Sequence, residues 1–152
     1  MTFGTGLTTV VTSIAGLTVS GVAMKGTDGI PPSGSMVCPI FFPQPNGFVS
    51  DLSVVRTTFG INGAGRLDVT YALNYVYLHA PVGGSLGTFE LYAGMVTNLA
   101  AILNAIMSND TISGAADIKP GGIADMGVVA DPAGKEYWGT LLVINVLEYV
   151  QP

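Results

Sequence analysis

"RLDVTYALNYVYLHAPVGG", residues 66–84, decides how this chain folds. Leu67, Val69, Tyr71, Leu73, Tyr75 and Tyr77 alternate with Asp68, Thr70, Ala72, Asn74, Val76 and Leu78. A period of two puts the first set on one face of a β-strand and the second set on the other. The first face is apolar and aromatic and reads as a core face. The second is half polar. The run stops at His79, the only histidine of the chain, where a Pro- and Gly-rich loop begins.

Working outward, "DLSVVRTTFG", residues 51–60, reads as a second strand. "GINGAGR", residues 60–66, joins the two as a Gly-rich hairpin loop. Further upstream, Pro31 and Pro32 punctuate a turn, and "MVCPIFFP", residues 36–43, reads as a short strand. Pro39 has no N–H to donate, so this strand belongs at an edge or carries a bulge. Phe41 and Phe42 point to opposite faces. One enters the core, and the other is exposed or covered by another element or subunit.

Two stretches have helical periodicity. Tyr92, Met95, Val96, Leu99, Ile102, Leu103 and Ile106 hold a 3.6-residue period, with Thr88 placed as an N-cap and Glu90 at the positive end of the helix dipole. Leu7, Val10, Val11, Ile14 and Leu17 form a second stripe, ended by Gly16 and Gly21. "MGVVADPAGKEYWGTLLVINVLEYV", residues 126–150, is a hairpin. Its Asp131-Pro132-Ala133-Gly134 suits a type I turn. Residues 139–150 are apolar on both faces, which marks a central strand. The order predicts one α+β domain over residues 1–152: a mainly antiparallel β-sheet with two α-helices packed on one face.

Only 10% of the residues are charged, against about 25% in ordinary soluble domains. Mean hydropathy is +0.54. Residues 1–24 are uncharged but carry six Thr and four Gly and lack a basic start, so they read as neither a spanning helix nor a signal peptide. In residues 91–109 the polar Thr97, Asn98, Asn104 and Ser108 recur on one side, which makes that segment amphipathic. With no membrane segment, the reading is that other protein covers the low-charge surface, as in obligate interfaces. A net charge of −5 and the absence of any Lys/Arg run argue against a nucleic-acid reader. The single Cys38 excludes an internal disulfide.

Chemistry is poorly represented. His79 could act as a general base oriented by Asp68 or Glu90, but no Ser, Cys or carboxylate stands at a recognisable spacing from it. One His and one Cys, 41 residues apart, make no metal site. "GTGLTT", "GINGAG" and "PVGGSLG" all miss the GxxxxGK[ST] phosphate cradle. Asp125 and Asp131 read as solvated turn residues. The reading is a non-enzymatic protein with no catalytic, cofactor-binding or metal-binding residues. His79 is expected to end a strand beside a subunit contact. Phe41, Phe42 and Phe48 of the Pro-rich segment 41–48, and Ile61, Asn62 and Arg66 of the loop 60–66, are expected to make subunit or tube contacts. Aromatic side chains are costly to leave in water, and a Gly-rich loop gains little by standing free.

The layout resembles the tail terminator (tail completion) proteins of long-tailed bacteriophages and related head–tail joining proteins. The likeness runs from the N-terminal helix into "SGVAMKG", then through "PPSGSMVCPIFFPQP", "TYALNYVYLHAPVG" and "MVTNLAAILNAIMSND" to "GVVADPAGKEYWGTLLVINVLEYV", nearly the whole chain. The resemblance implies a virion structural protein, assembled in the host cytoplasm into a hexameric ring. Such a ring caps the tail tube and meets the head connector. Its partners would be further copies of itself, the tube protein and the connector or adaptor. DNA would pass through a neutral to acidic lumen without specific binding, because only Lys25, Arg56, Arg66, Lys119 and Lys135 carry positive charge. The family offers no residue motif to carry over, and the scarcity of charge is a departure from it. Another neck or tail component, such as a head-completion adaptor or a tube subunit, and a small-ligand binding domain are the alternatives.

Overall fold

The computed structural model describes residues 3–27, 37–56, 67–83, 88–108, 111–112, 116–131 and 133–150. At its centre lie two 15-residue strands, β4 (Leu67–Pro81) and β8 (Glu136–Val150). They pair antiparallel from Leu67 opposite Val150 to Pro81 opposite Tyr137. Outside β4 run β2 (Ile40–Pro43), against residues 75–78, and β3 (Val49–Arg56), against residues 67–73. Outside β8 run β6 (Ala116–Ile123) and β7 (Gly127–Ala130). Each flank is therefore one interrupted lane of two strands. β1 (Ala23–Met24) adds to β2, and β5 (Thr111–Ile112) adds to β6.

The β1–β2 pair is parallel, which corrects the expected architecture to a mixed sheet within an α+β domain. It also places a neighbour on each side of β2, where an edge was expected. Pro39 does not obstruct this, because the contact uses its carbonyl: Ala23 N donates to Pro39 O, and Lys25 N donates to Phe41 O. The apolar run 139–150 is central, with β4 on one side and β6 and β7 on the other.

The helices α1 (Phe3–Ala15) and α2 (Thr88–Met107) both pack on the face that carries Tyr71, Leu73, Tyr75 and Tyr77. Val10, Val11 and Ile14 of α1 and Met95, Leu99, Ile102 and Ile106 of α2 close over Leu142, Ile144 and Val146 of β8. α1 stops at Ala15, and Gly16 N donates to Thr12 O in the turn that follows. The buried stripe of α2 begins at Leu91, one residue before the expected Tyr92. Tyr92 and Val96 face outward, because only the narrow row through Met95, Leu99, Ile102 and Ile106 docks on the sheet.

A smaller cluster occupies the opposite face, where Ile40, Phe42, Val76, Leu78 and Tyr137 pack together. Next to it the β4–β8 register shifts by one residue, between Leu78 opposite Gly139 and Ala80 opposite Trp138. The extra residue is His79, so β4 bulges there. Gly139 permits this close approach, since a Cβ would strike the Tyr77 carbonyl oxygen. The final turn forms as expected: Gly134 N donates to Asp131 O, and Asp131 Oδ1 accepts from Ala133 N and Lys135 N.

Candidate interaction surfaces

At the bulge, the half-buried His79 receives a hydrogen bond through Nδ1 from the Tyr77 hydroxyl at 2.7 Å. That hydroxyl accepts from Asn98 Nδ2 at 2.8 Å, which leaves its own proton for Nδ1 and keeps the imidazole proton on Nε2. Burial lowers the His79 pKa and pushes Tyr77 up to about 12, the latter partly offset by Asn98, so both are neutral at pH 7. The ring lies against Gly94 of α2, where a Cβ would sit 3.0 Å from Nε2. His79 thus ties the end of β4 to α2. Asp68, weighed as its orienting carboxylate, lies at the far end of β4 opposite Tyr149.

The aromatic residues expected at a contact are mostly spent inside the subunit. Phe41 is fully buried and stacks on Tyr75 with ring centroids 4.7 Å apart. Phe42, pointing the other way, is buried in the second cluster. Phe48 is half-buried edge-on to Tyr75. Both faces of this sheet have apolar cover, so both Phe41 and Phe42 become core residues, and their assignment as contact residues is corrected. Ile61, Asn62 and Arg66 lie outside the described residues.

Exposed apolar surface lies elsewhere. On β3, Leu52, Val54 and Val55 are each more than half exposed. β3 pairs only with β4 among the described strands, so its other edge is uncapped. It carries a bulge between Ser50 and Ser53, with Asp51 in the left-handed region at φ 54°. Tyr92, Val96 and Met107 form a second exposed group along α2. The "DLSVVR" pattern held the signal for the first group. Adjacent Val54 and Val55 point to opposite faces, and a strand with one neighbour cannot cover both.

The face of the sheet away from the helices holds two hollows. One, of about 400 Å³, is floored by Phe42, Val76, Leu78, Val129 and Leu141 and rimmed by Gln44, Asn46 and Asp131. The other, of about 290 Å³, is polar and lies among Asp51, Thr70, Asp117, Lys119 and Asn145. Lys135 stands over the Tyr137 ring at 5.4 Å. Lys25, Lys119 and Lys135 are therefore spread over separate parts of the sheet.

One buried charge-bearing group is unexpected. Glu148 of β8 points into the helix-covered core beside Val69 and is 1% exposed. Burial pushes its pKa up, and the nearby Tyr71 hydroxyl partly offsets this. Neither carboxyl oxygen has a hydrogen-bond partner of ordinary geometry among the described residues. Among those residues no three His, Cys, Asp or Glu gather as metal ligands, and no helix is long and apolar enough to cross a membrane. The sequence matches no protein-family model, and a search of curated proteins returns no relative.

Proposed function

We propose that this chain is a structural subunit of a homo-oligomeric ring, and that the ring belongs to the neck or tail end of a bacteriophage particle. The observation that carries the first half is the uncapped edge of β3, with three apolar side chains more than half exposed on a chain that is only 10% charged. An uncapped apolar edge is a template for strand addition, and free-standing proteins normally blunt such edges with charge or cover. Subunits of permanent assemblies leave them for a neighbour. The second half rests on the resemblance in element order and sequence character to tail terminator and head–tail joining proteins. In this role His79 is a packing residue beside a contact, and function lies in surfaces. Six copies would enclose a lumen for DNA, with a tube protein on one side and a connector on the other.

Native mass measurement combined with electron microscopy tests the proposal. The expected result is a single species of six subunits, seen as rings. Rings that stop at one layer support a terminator, and rings that stack into long tubes at high concentration identify a tube subunit. A monomer that persists at high concentration overturns the assembly reading and favours a small-ligand domain built around one of the two hollows.

A further inference from the structure

We infer that the apolar hollow on the open face of the sheet is the receptor for the β3 edge of a second copy of this chain. This rests on the ring reading and specifies its contact. Phe42, Val76, Leu78, Val129 and Leu141 floor the hollow with no charged group. The one charged rim residue, Asp131, already accepts two backbone N–H groups of its own turn. An occupant recognised here must therefore be neutral, apolar and thin enough for a hollow of about 400 Å³. Leu52-Ser53-Val54-Val55 meets those demands, as an uncharged, exposed, uncapped strand segment.

Position decides that the occupant comes from another copy. Val55 lies opposite Asp68, whereas the hollow surrounds Val76 and Leu78, eight or more residues further along β4. At the rise of a strand this is roughly 26 Å, beyond the reach of a segment already paired to β4. Donor and receptor also differ, so the contact joins unlike patches. Unlike-patch contacts propagate head to tail and close into rings when the rotation allows, whereas a two-fold pair would need like patches. Each copy would give one edge and accept one, which doubles the surface each subunit commits to the assembly.

Directed cross-linking tests this. In a Cys38→Ser background, Val55→Cys and Ala130→Cys are combined, the second residue lining the hollow. Mild oxidation should give a ladder of dimers, trimers and higher species on a non-reducing gel, ending at the ring. Each single-cysteine variant should remain uncross-linked. Disulfide dimers from Val55→Cys alone would show a two-fold contact and overturn the proposal, as would a double variant with no ladder. Separately, Val54→Lys with Val55→Lys should weaken assembly at least tenfold while the melting temperature of the subunit is kept. Rings that form normally from this variant would overturn the contact and leave the ring reading standing. A wild-type chain that is monomeric throughout would overturn both.

Discussion

Leu141 and Leu142 are chemically identical neighbours on β8, yet they live in different surroundings. Leu142 faces the helices and is fully buried among Tyr75, Met95 and Ile144. Leu141 faces away, is half-buried, and lines a hollow open to solvent. The same alternation runs along the whole β4–β8 pair. On the covered face, α1 and α2 provide continuous cover. On the open face, cover comes only from short strands and turns at one end, and the other end grades into Thr70, Asn145 and Lys119. The strand period creates two faces, but the helices decide which of them becomes a finished core. The unfinished face is where apolar surface remains for another chain to cover.

Substitution of the two leucines gives the sharpest test of that contrast. Leu142→Ala should cost about 3–5 kcal/mol, because a sealed site cannot collapse around the missing atoms. Leu141→Ala should cost about 1 kcal/mol in the isolated subunit, since water and neighbouring side chains already reach it. Urea midpoints with an unchanged slope would measure both. Equal costs would break the distinction between the faces.

His79→Ala should cost about 1 kcal/mol through loss of the Tyr77 hydrogen bond. The folded His79 resists protonation, so its contribution is present above the ordinary imidazole pKa and fades as pH falls through its lowered folded value. Melting curves between pH 4 and pH 8 should therefore show a steeper acid-side decline in the wild type than in the variant. Assembly should survive, and a specific loss of assembly in a fully folded variant would make His79 a contact residue in its own right.

Glu148→Gln should give the smallest change, and of opposite sign. The folded carboxyl has a raised pKa, so its favourable contribution is complete below the ordinary Glu range and is lost as pH rises through the folded value. The Gln variant keeps a neutral side chain at every pH. Its melting temperature should match the wild type near pH 4 and exceed it increasingly toward pH 8. A constant difference across that range would mean that the carboxyl is not buried as the covered face requires.

The central strands and both helices were legible in the sequence because each carries a long, regular apolar period. The faces of β4 follow directly from its alternating tyrosines. β6 was not legible, because "KPGG" breaks any pattern. Lys119 and Pro120 are nevertheless held opposite Asn145 and Ile144 of β8 before the register slips. Its strand character comes from a partner more than twenty residues away. Phe42 was misplaced for a related reason. Adjacent residues do point opposite ways, but nothing local reveals that β7 and Tyr137 come back to cover the second face. The contact surface suffered most. The aromatic residues that looked available are core, whereas the modest valines of β3 are the ones left outside.

The position of β8 between β4 and β6 has a consequence for synthesis. It is the last element in chain order, and yet it joins the two halves of the sheet. While a ribosome is still extending the chain, β4 can pair with β2 and β3 on one side only, and β6 has no long partner. Sheets dominated by distant pairings form slowly, and unpaired inner strands are prone to aggregation while they wait. A nascent chain therefore stays open along its middle until β8 clears the exit tunnel. Conditions that slow or stall translation over residues 136–150 should raise the share of insoluble product far more than equal delays earlier in the chain.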